Sequence, residues 1–276
     1  MSARIAARFS ALERAGKAGF ITYVMAGDPE PAASLRILQA LPAAGADIIE
    51  LGLPFSDPMA DGPSIQRAAT RALAAGATIA GVLDLVRAFR RGDADTPIVL
   101  MGYLNPLLSL GYARFAKEAA EAGADGVIMV DCPPEEAGPL ADALEEAGLD
   151  LIRLSTPTTD AARLRVVTAR TSGFLYYVSV AGVTGEKAAR ASDVAPQVAA
   201  ARAASGLPVA VGFGVRTPEQ AREIARVADA VVVGSALVDS LATALQQGAD
   251  PVAAVVAEVS RLADAVHSAR EEASVG

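Results

Sequence analysis

A chain of 276 residues, 52% of them hydrophobic, has ample apolar material for a core of one or two domains. Its formal net charge of -8 disfavours nucleic acid as a general partner, because phosphate backbones select basic surfaces, yet leaves room for a small phosphorylated ligand held by backbone N–H groups. One cysteine, Cys132, excludes an intrachain disulfide and points to a reducing compartment such as the cytoplasm, and one histidine, His267, excludes a metal site built on several His or Cys ligands.

The first segment, MSARIAARFSALERAGKAGF, is rich in Arg and Ala but has no continuous apolar core and no cleavage site. Glu13 and the direct run into a strand mark it as a native helix rather than a transit peptide. No stretch approaches the ~20 consecutive apolar residues of a membrane span. Strands are expected at 20–25, 47–51, 98–101, 126–130, 149–154, 174–178, 209–211 and 230–233. Helical patterns separate them near 31–43, 63–91, 111–122, 135–147, 159–170, 190–204 and 217–227, with another at 251–270 and a frayed tail after Ala269.

A phrase recurs through this alternation: AAGADIIELG at 43–52, EAGADGVIMVD at 121–131, EAGLDLIRLS at 146–155 and VADAVVVGS at 227–235. An Ala-rich helix ends, usually at a Gly suited to a left-handed C-terminal position. Asp follows, and then a near-continuous apolar strand of the kind a buried parallel sheet needs. Eight strands, each followed by a helix, with one extra helix ahead of the first, make a single-domain (β/α)8 TIM barrel the economical α/β solution. A doubly wound open sheet is the alternative; it would have fewer strands, and no G-x-G-x-x-G follows the first one.

In such barrels the active site lies at the carboxyl ends of the strands and in the following loops. There the stretch ELGLPFSDPMADGPSIQ, 50–66, places Glu50 at the end of strand two and Asp57 and Asp61 in its loop. Ile48 and Glu50 share one strand face, Ile49 and Leu51 the other. On the inner face Glu50 would lie at the barrel mouth, its pKa raised by burial toward the range of a general acid/base; on the outer face it is an ordinary strand-end acid. Asp57 and Asp61 each have plain turn chemistry as the alternative. The three lysines, Lys17, Lys117 and Lys187, all lie outside the expected strands, so a Schiff-base lysine at a strand end has no candidate. His267 sits in a helix-like tail and reads as a surface residue. Chemistry is left to carboxylates, tyrosines, hydroxyls and backbone.

Gly-rich turns follow strands six, seven and eight: YYVSVAGVTGEKA at 176–188, GFGVRTPEQ at 212–220 and VVVGSALVDSL at 231–241. The turns after strands seven and eight, with a short helix starting near Ser235, suit a phosphate: glycines admit backbone N–H groups, and the helix start adds its positive end. The alternative is that they merely link strand to helix. After strand three, MGYLNPLLSLG carries a turn signal at Asn105–Pro106, with Tyr103 and Leu104 placed to line the mouth. After strand four, the double proline of DCPPEEA is expected to start a helix with Glu135 and Glu136 in its first turn. Cys132 reads as a loop or core residue, since no histidine stands near to activate it.

These segments carry a resemblance. ELGLPFSDPMADGPSIQ resembles the signature of the tryptophan synthase alpha chain family, and the likeness extends to YVMAGDP at 23–29, GYLNP at 102–106, VDCPPEE at 130–136, SVAGVTG at 179–185, VGFGV at 211–215 and VVVGSALV at 231–238. The resemblance implies a (β/α)8 barrel that cleaves indole-3-glycerol phosphate to indole and glyceraldehyde 3-phosphate. It puts the catalytic acid/base on Glu50 and the carboxylate that meets the indole N–H on Asp61. It puts the phosphate site on Gly185, Gly214, Gly234 and Ser235, and substrate contacts on Tyr23, Tyr103, Tyr176, Thr184 and Phe213, with Thr184 engaging Asp61 as the loop closes. It further implies an alpha2beta2 complex in which a pyridoxal-phosphate-dependent beta chain receives the indole, no cofactor on this chain, and closure of the loops at 54–63 and 180–190 over substrate. Asp57 is assigned to the turn and to the partner surface. Two positions depart from what some members carry: Val180 stands in place of Arg or Thr, and Tyr23 in place of Phe. Two competing readings share part of this pattern. A phosphate-binding barrel isomerase would share the Gly turns but not the Glu50–Asp61 pair, and a purely regulatory subunit would need neither acid.

Overall fold

The computed structural model describes residues 2–179, 191–212 and 214–271. The recurring helix–Gly–Asp–strand phrase builds a single parallel sheet. In chain order the elements begin with α1 (Ala3–Arg14), β1 (Gly19–Met25), α2 (Pro31–Ala40), β2 (Ile48–Gly52), α3 (Pro63–Ala74), α4 (Ile79–Arg90) and β3 (Ile98–Gly102). They continue with α5 (Leu104–Leu110), α6 (Tyr112–Ala122), β4 (Gly126–Met129), α7 (Gly138–Glu146), β5 (Asp150–Leu151), β6 (Arg153–Ser155) and α8 (Ala161–Thr168). The last are β7 (Leu175–Val178), α9 (Ala191–Ser205), β8 (Val209–Gly212), α10 (Pro218–Ala225), β9 (Ala230–Val233), α11 (Ser235–Gln246) and α12 (Pro251–Ser268).

The sheet order is β5-β4-β3-β2-β1-β9-β8-β7-β6, with every pairing parallel. Its two ends, β5 and β6, are separated by Ile152 alone, whose N–H donates to the Val127 carbonyl at 3.0 Å. They are halves of one bent strand, and the sheet therefore closes on itself. This is the expected (β/α)8 barrel, with strand five split where the sequence reading had it continuous.

Strand alternation sorts the core into two layers. Ile21, Ile48, Val99, Ile128, Ile152, Phe174 and Ala210 fill the barrel, and Ile5 and Phe9 of α1 plug its amino-terminal end, with the Phe9 and Phe174 rings 5.7 Å apart. Their neighbours Ile49, Leu51, Leu100 and Val127 point outward, into the layer between sheet and helices. The N-terminal helix thus has a clear role: it closes the bottom of the cylinder.

The Asp of the recurring phrase also acquires one. Asp47, Asp125 and Asp229 each stand one residue before a strand, and each carboxylate accepts the backbone N–H of the residue opposite it on the adjoining strand: Phe20 (2.8 Å), Ile98 (2.9 Å) and Val209 (2.8 Å). The device pairs strand starts before the regular ladder begins. Gly123, with φ of 99°, supplies the left-handed helix end just ahead of Asp125, as the phrase predicts.

Four local expectations are corrected. The helix at 63–91 is two, α3 and α4, broken around Gly76 with φ of 85°. The Asn105–Pro106 turn is the first turn of α5; proline is tolerated there because the first N–H groups of a helix have no carbonyl to bond. The double proline does not start α7, which begins at Gly138 with Pro139 in its first turn, and Glu135 instead pairs with Arg163. The helix that starts at Ser235 runs 12 residues and is not short. No single helix among the described residues is long and apolar enough to cross a membrane. The tail beyond residue 271 and the segment 180–190 lie outside the described residues.

Candidate active site

The inner face of the barrel changes character at its carboxyl end. Below, on β2, stands Ile48; two residues on, the same face carries Glu50. Register sets Glu50 beside Tyr23 of β1 on one side and Val99 of β3 on the other. The side chain is 1% exposed, and neither carboxyl oxygen has a hydrogen-bond partner among the described residues. Burial alone pushes its pKa up from the usual carboxylate range to about 8, so the group is predominantly protonated at neutral pH.

Two tyrosines flank it. Tyr23 and Tyr176 are buried, and both hydroxyls are pushed well above the phenol range, by burial first and then by nearby acids: Asp61 and Glu50 for Tyr23, Glu50 for Tyr176. Each reaches across a glycine on the adjacent strand. A Cβ at Gly52 would overlap the Tyr23 hydroxyl, and one at Gly212 would overlap that of Tyr176. The strand-end glycines leave room for the two rings over the barrel mouth.

Asp61 comes from the loop between β2 and α3. Its N–H donates to the Pro58 carbonyl at 3.1 Å, and its own carbonyl accepts from Gln66 Nε2 at 2.9 Å, which ties the loop to the first turn of α3. Burial raises the carboxyl to about 6, opposed by a hydrogen bond from the Tyr103 hydroxyl. That hydroxyl in turn accepts the Ala60 N–H at 3.0 Å. Tyr103 is not among the residues that wall the cavity at the barrel mouth, but it holds the loop that carries Asp61 through the Ala60 N–H and bears on the Asp61 carboxyl. Asp57, exposed, binds the Ser56 hydroxyl and offers its carbonyl to the Met59 N–H, which is turn chemistry.

One cavity brings together Tyr23, Glu50, Asp61, Tyr176, Gly214, Gly234 and Ser235. Gly214, with φ of 86°, needs the left-handed region, and Gly234 stands at the start of α11, close enough to Tyr23 that a Cβ would press on its ring. Gly234 and Ser235 both wall the cavity, so the start of α11 borders it. Thr184, Gly185 and Phe213, as well as Val180, lie outside the described residues. The sequence reading missed Ile65, Met101, Val232 and Arg216, which also wall the cavity. Met101 and Val232 were within reach, since each is two residues past an inward-facing strand residue, Val99 and Ala230.

His267 is not a free surface residue. It is half-buried on α12, with Nε2 at 2.8 Å from Asp47 Oδ2, at the opposite end of the barrel from the cavity. Cys132 is buried, and burial pushes its thiol up, away from the reactive range.

The arrangement brings two acids whose pKa values burial raises, to about 8 and about 6, together with the start of a helix within one cavity. Known proteins match nearly the whole chain. The family model described as tryptophan synthase alpha chain matches residues 9–267. The tryptophan synthase alpha chain of Phenylobacterium zucineum is 66% identical over 268 residues, 97% of each chain, and that of Gluconacetobacter diazotrophicus 55% identical over 271 residues, 97% of this chain and 99% of the other. Among solved structures, tryptophan synthase subunit alpha from Legionella pneumophila superposes with a TM-score of 0.90 at 43% identity, covering 96% of this chain and 98% of that one. A structure of Mycobacterium tuberculosis tryptophan synthase gives 0.87 at 38% identity, covering 97% and 99%. By sequence and by fold, the chain belongs to the tryptophan synthase alpha chain family.

Proposed function

We propose that this chain, a single barrel domain, cleaves indole-3-glycerol phosphate to indole and glyceraldehyde 3-phosphate by carboxylate acid/base catalysis. The observation that carries the assignment of roles is Glu50: a fully buried carboxyl with no protein partner among the described residues, at the mouth of an otherwise apolar barrel. Such a group costs stability and is kept where chemistry needs it.

Retro-aldol cleavage needs an electron sink, and the indole ring provides one. Glu50, carrying its proton, delivers it to ring C3, which makes an indolenine with positive charge at N1. Asp61 as carboxylate stabilises that charge. Glu50, now ionised, takes the proton of the hydroxyl on the adjacent side-chain carbon. The C–C bond breaks, its electron pair restores the indole ring, the carbonyl of glyceraldehyde 3-phosphate forms, and Glu50 ends as it began. Tyr23 and Tyr176 confine the ring, Tyr103 holds Asp61 down toward ionisation, and Gly214, Gly234 and Ser235 receive the phosphate through backbone N–H groups. Thr184, Gly185 and Phe213 retain their proposed substrate roles. The scheme uses no cofactor on this chain.

The product then passes to a cytoplasmic partner, a beta chain carrying pyridoxal phosphate, in an alpha2beta2 assembly. The exposed Met59 and Leu108, on the β2–α3 loop and on α5, are apolar surface available to such a partner. Indole release from indole-3-glycerol phosphate tests the function directly. Glu50→Gln should lose about 10²–10⁴ in kcat while still binding an indole-propanol phosphate analogue. Near-normal turnover by that variant would sink the assignment of Glu50.

A further inference from the structure

Among the described residues that wall the cavity, Arg216 is the one cation, set against the two acids Glu50 and Asp61. Its main chain is held from two sides. The N–H donates to Gln220 Oε1 at 2.8 Å, next to the capping box that starts α10, and the carbonyl accepts from Arg261 Nη2 at 3.5 Å. The guanidinium crosses to α11, where Nη1 donates to Asp239 Oδ2 at 2.9 Å. Asp239 is one helical turn past Ser235 and so lies on the same face. Its other oxygen, Oδ1, faces Arg67 Nη2 of α3 at 3.8 Å. Arg216 thus stands beside the opening turn of α11, at the Gly214–Gly234–Ser235 end of the cavity.

Its charge is not directed at the acids. Burial raises Glu50 with no cation opposing it, and burial raises Asp61 with the Tyr103 hydrogen bond as the opposing influence. What remains is the helix end. A phosphate monoester brings a charge of about -1.5 to -2, whereas a helix start offers roughly half a positive unit. A dianion entering a cavity that already holds two acids needs further positive charge. The Arg216 side chain is 52% exposed, so its bond to Asp239 faces solvent, and Arg67 is a second cation 3.8 Å from the same carboxylate.

Resting on the function proposed above, we propose that Arg216 is a side-chain ligand for the substrate's phosphate group, and that Asp239 tunes the affinity by competing for the same guanidinium. A charge-assisted bond from Arg adds to backbone recognition that is otherwise neutral.

The test is steady-state cleavage of indole-3-glycerol phosphate together with competitive inhibition by glycerol 3-phosphate and by indole propanol, which lacks the phosphate. The enzymes are the unsubstituted chain, R216Q, R216K and D239N. R216Q should raise KM and the inhibition constant of glycerol 3-phosphate by a common factor of about fivefold, with kcat within twofold and indole propanol inhibition unchanged. R216K should recover most of the loss, and D239N should bind glycerol 3-phosphate more tightly. Unchanged glycerol 3-phosphate inhibition in R216Q would overturn the inference, as would equal losses for both inhibitors, which mark a merely structural residue. An unsubstituted chain that neither releases indole nor binds glycerol 3-phosphate would remove the proposed function and this inference together. Normal behaviour of that chain beside an indifferent R216Q removes the inference alone.

Discussion

The two ends of this barrel treat buried acids in opposite ways. At the amino-terminal end Asp125 is 1% exposed, and its carboxylate meets the Ser2 hydroxyl, Arg4, Arg90 and the Ile98 N–H. Asp47, also buried, meets the Phe20 N–H, Arg8 and His267. At the carboxyl-terminal end Glu50 is just as buried and has no partner among the described residues. The residue class and the burial match; the company differs. Partnered carboxylates knit strand starts to the plug and to the outer helices. The unpartnered one retains its proton and can give it away. Buried charge is compensated at the bottom of the barrel, and an uncompensated carboxyl stands at its mouth, where the proposed chemistry is placed.

Replacing Glu50 erases the contrast and should have the largest effect. Besides the loss of cleavage, Glu50→Gln should stabilise the fold in alkaline solution. The folded-state pKa lies near 8, above the ordinary value of 4.5, so the folded chain binds this proton more tightly than the unfolded one. Stability from that proton is complete below about pH 4.5 and is lost as pH rises through 8. The variant has nothing to lose, and its advantage in urea unfolding should grow between pH 5 and 9 to the order of a few kcal/mol. An advantage independent of pH would mean that Glu50 is not the buried acid it is taken to be.

The matching experiment at the other end is Asp125→Ala. It leaves Arg90, itself mostly buried, with only the more distant Asp93 carboxylate at 4.0 Å, and strips the Ile98 N–H of its acceptor. The loss should be about 3–5 kcal/mol in urea unfolding at neutral pH. Together the two variants say whether buried charge at the two ends carries opposite signs for stability.

A subtler change separates the two acids of the mouth. The Tyr103 hydrogen bond opposes the rise of Asp61, which burial takes to about 6. With Glu50 at about 8, kcat/KM should be bell-shaped: rising as Asp61 ionises near pH 6 and falling as Glu50 ionises near pH 8. In Tyr103→Phe the acid limb should move to higher pH, with about tenfold lower activity below pH 6 and the alkaline limb in place. A shift of both limbs would show that Tyr103 acts on the whole site.

Much of this was legible in the chain. Periodicity located the strands, and alternation put Glu50 with Ile48, the inward residue. The Gly turns after strands seven and eight were correctly placed beside one another, since barrel order makes them neighbours. What could not be read had partners distant in sequence. Tyr103 grips a loop 43 positions away, through Ala60. Arg216 carried no signal of its own, because its partner, Asp239, belongs to another element. The Asp of the recurring phrase was visible as a boundary mark, yet its work depends on the adjoining strand and, for Asp125, on α1. Proline misled twice for one reason: a helix's first turn and a β-turn accept the same residue, so Pro106 and Pro133 signal both.

His267 offers the finest test of the division between ends. It bridges α12 to Asp47, but Asp47 also holds the Phe20 N–H at 2.8 Å and Arg8 at 3.4 Å, so removal leaves the carboxylate partnered. His267→Ala should therefore cost only about 1 kcal/mol in urea unfolding, and His267→Gln, which retains a donor, less than that. Because the site stands at the far end of a packed barrel, kcat and KM for indole-3-glycerol phosphate should not change in either variant. A change in kcat would mean that the strand starts and the strand ends are mechanically coupled through the barrel interior, and the two faces could no longer be treated as separate devices.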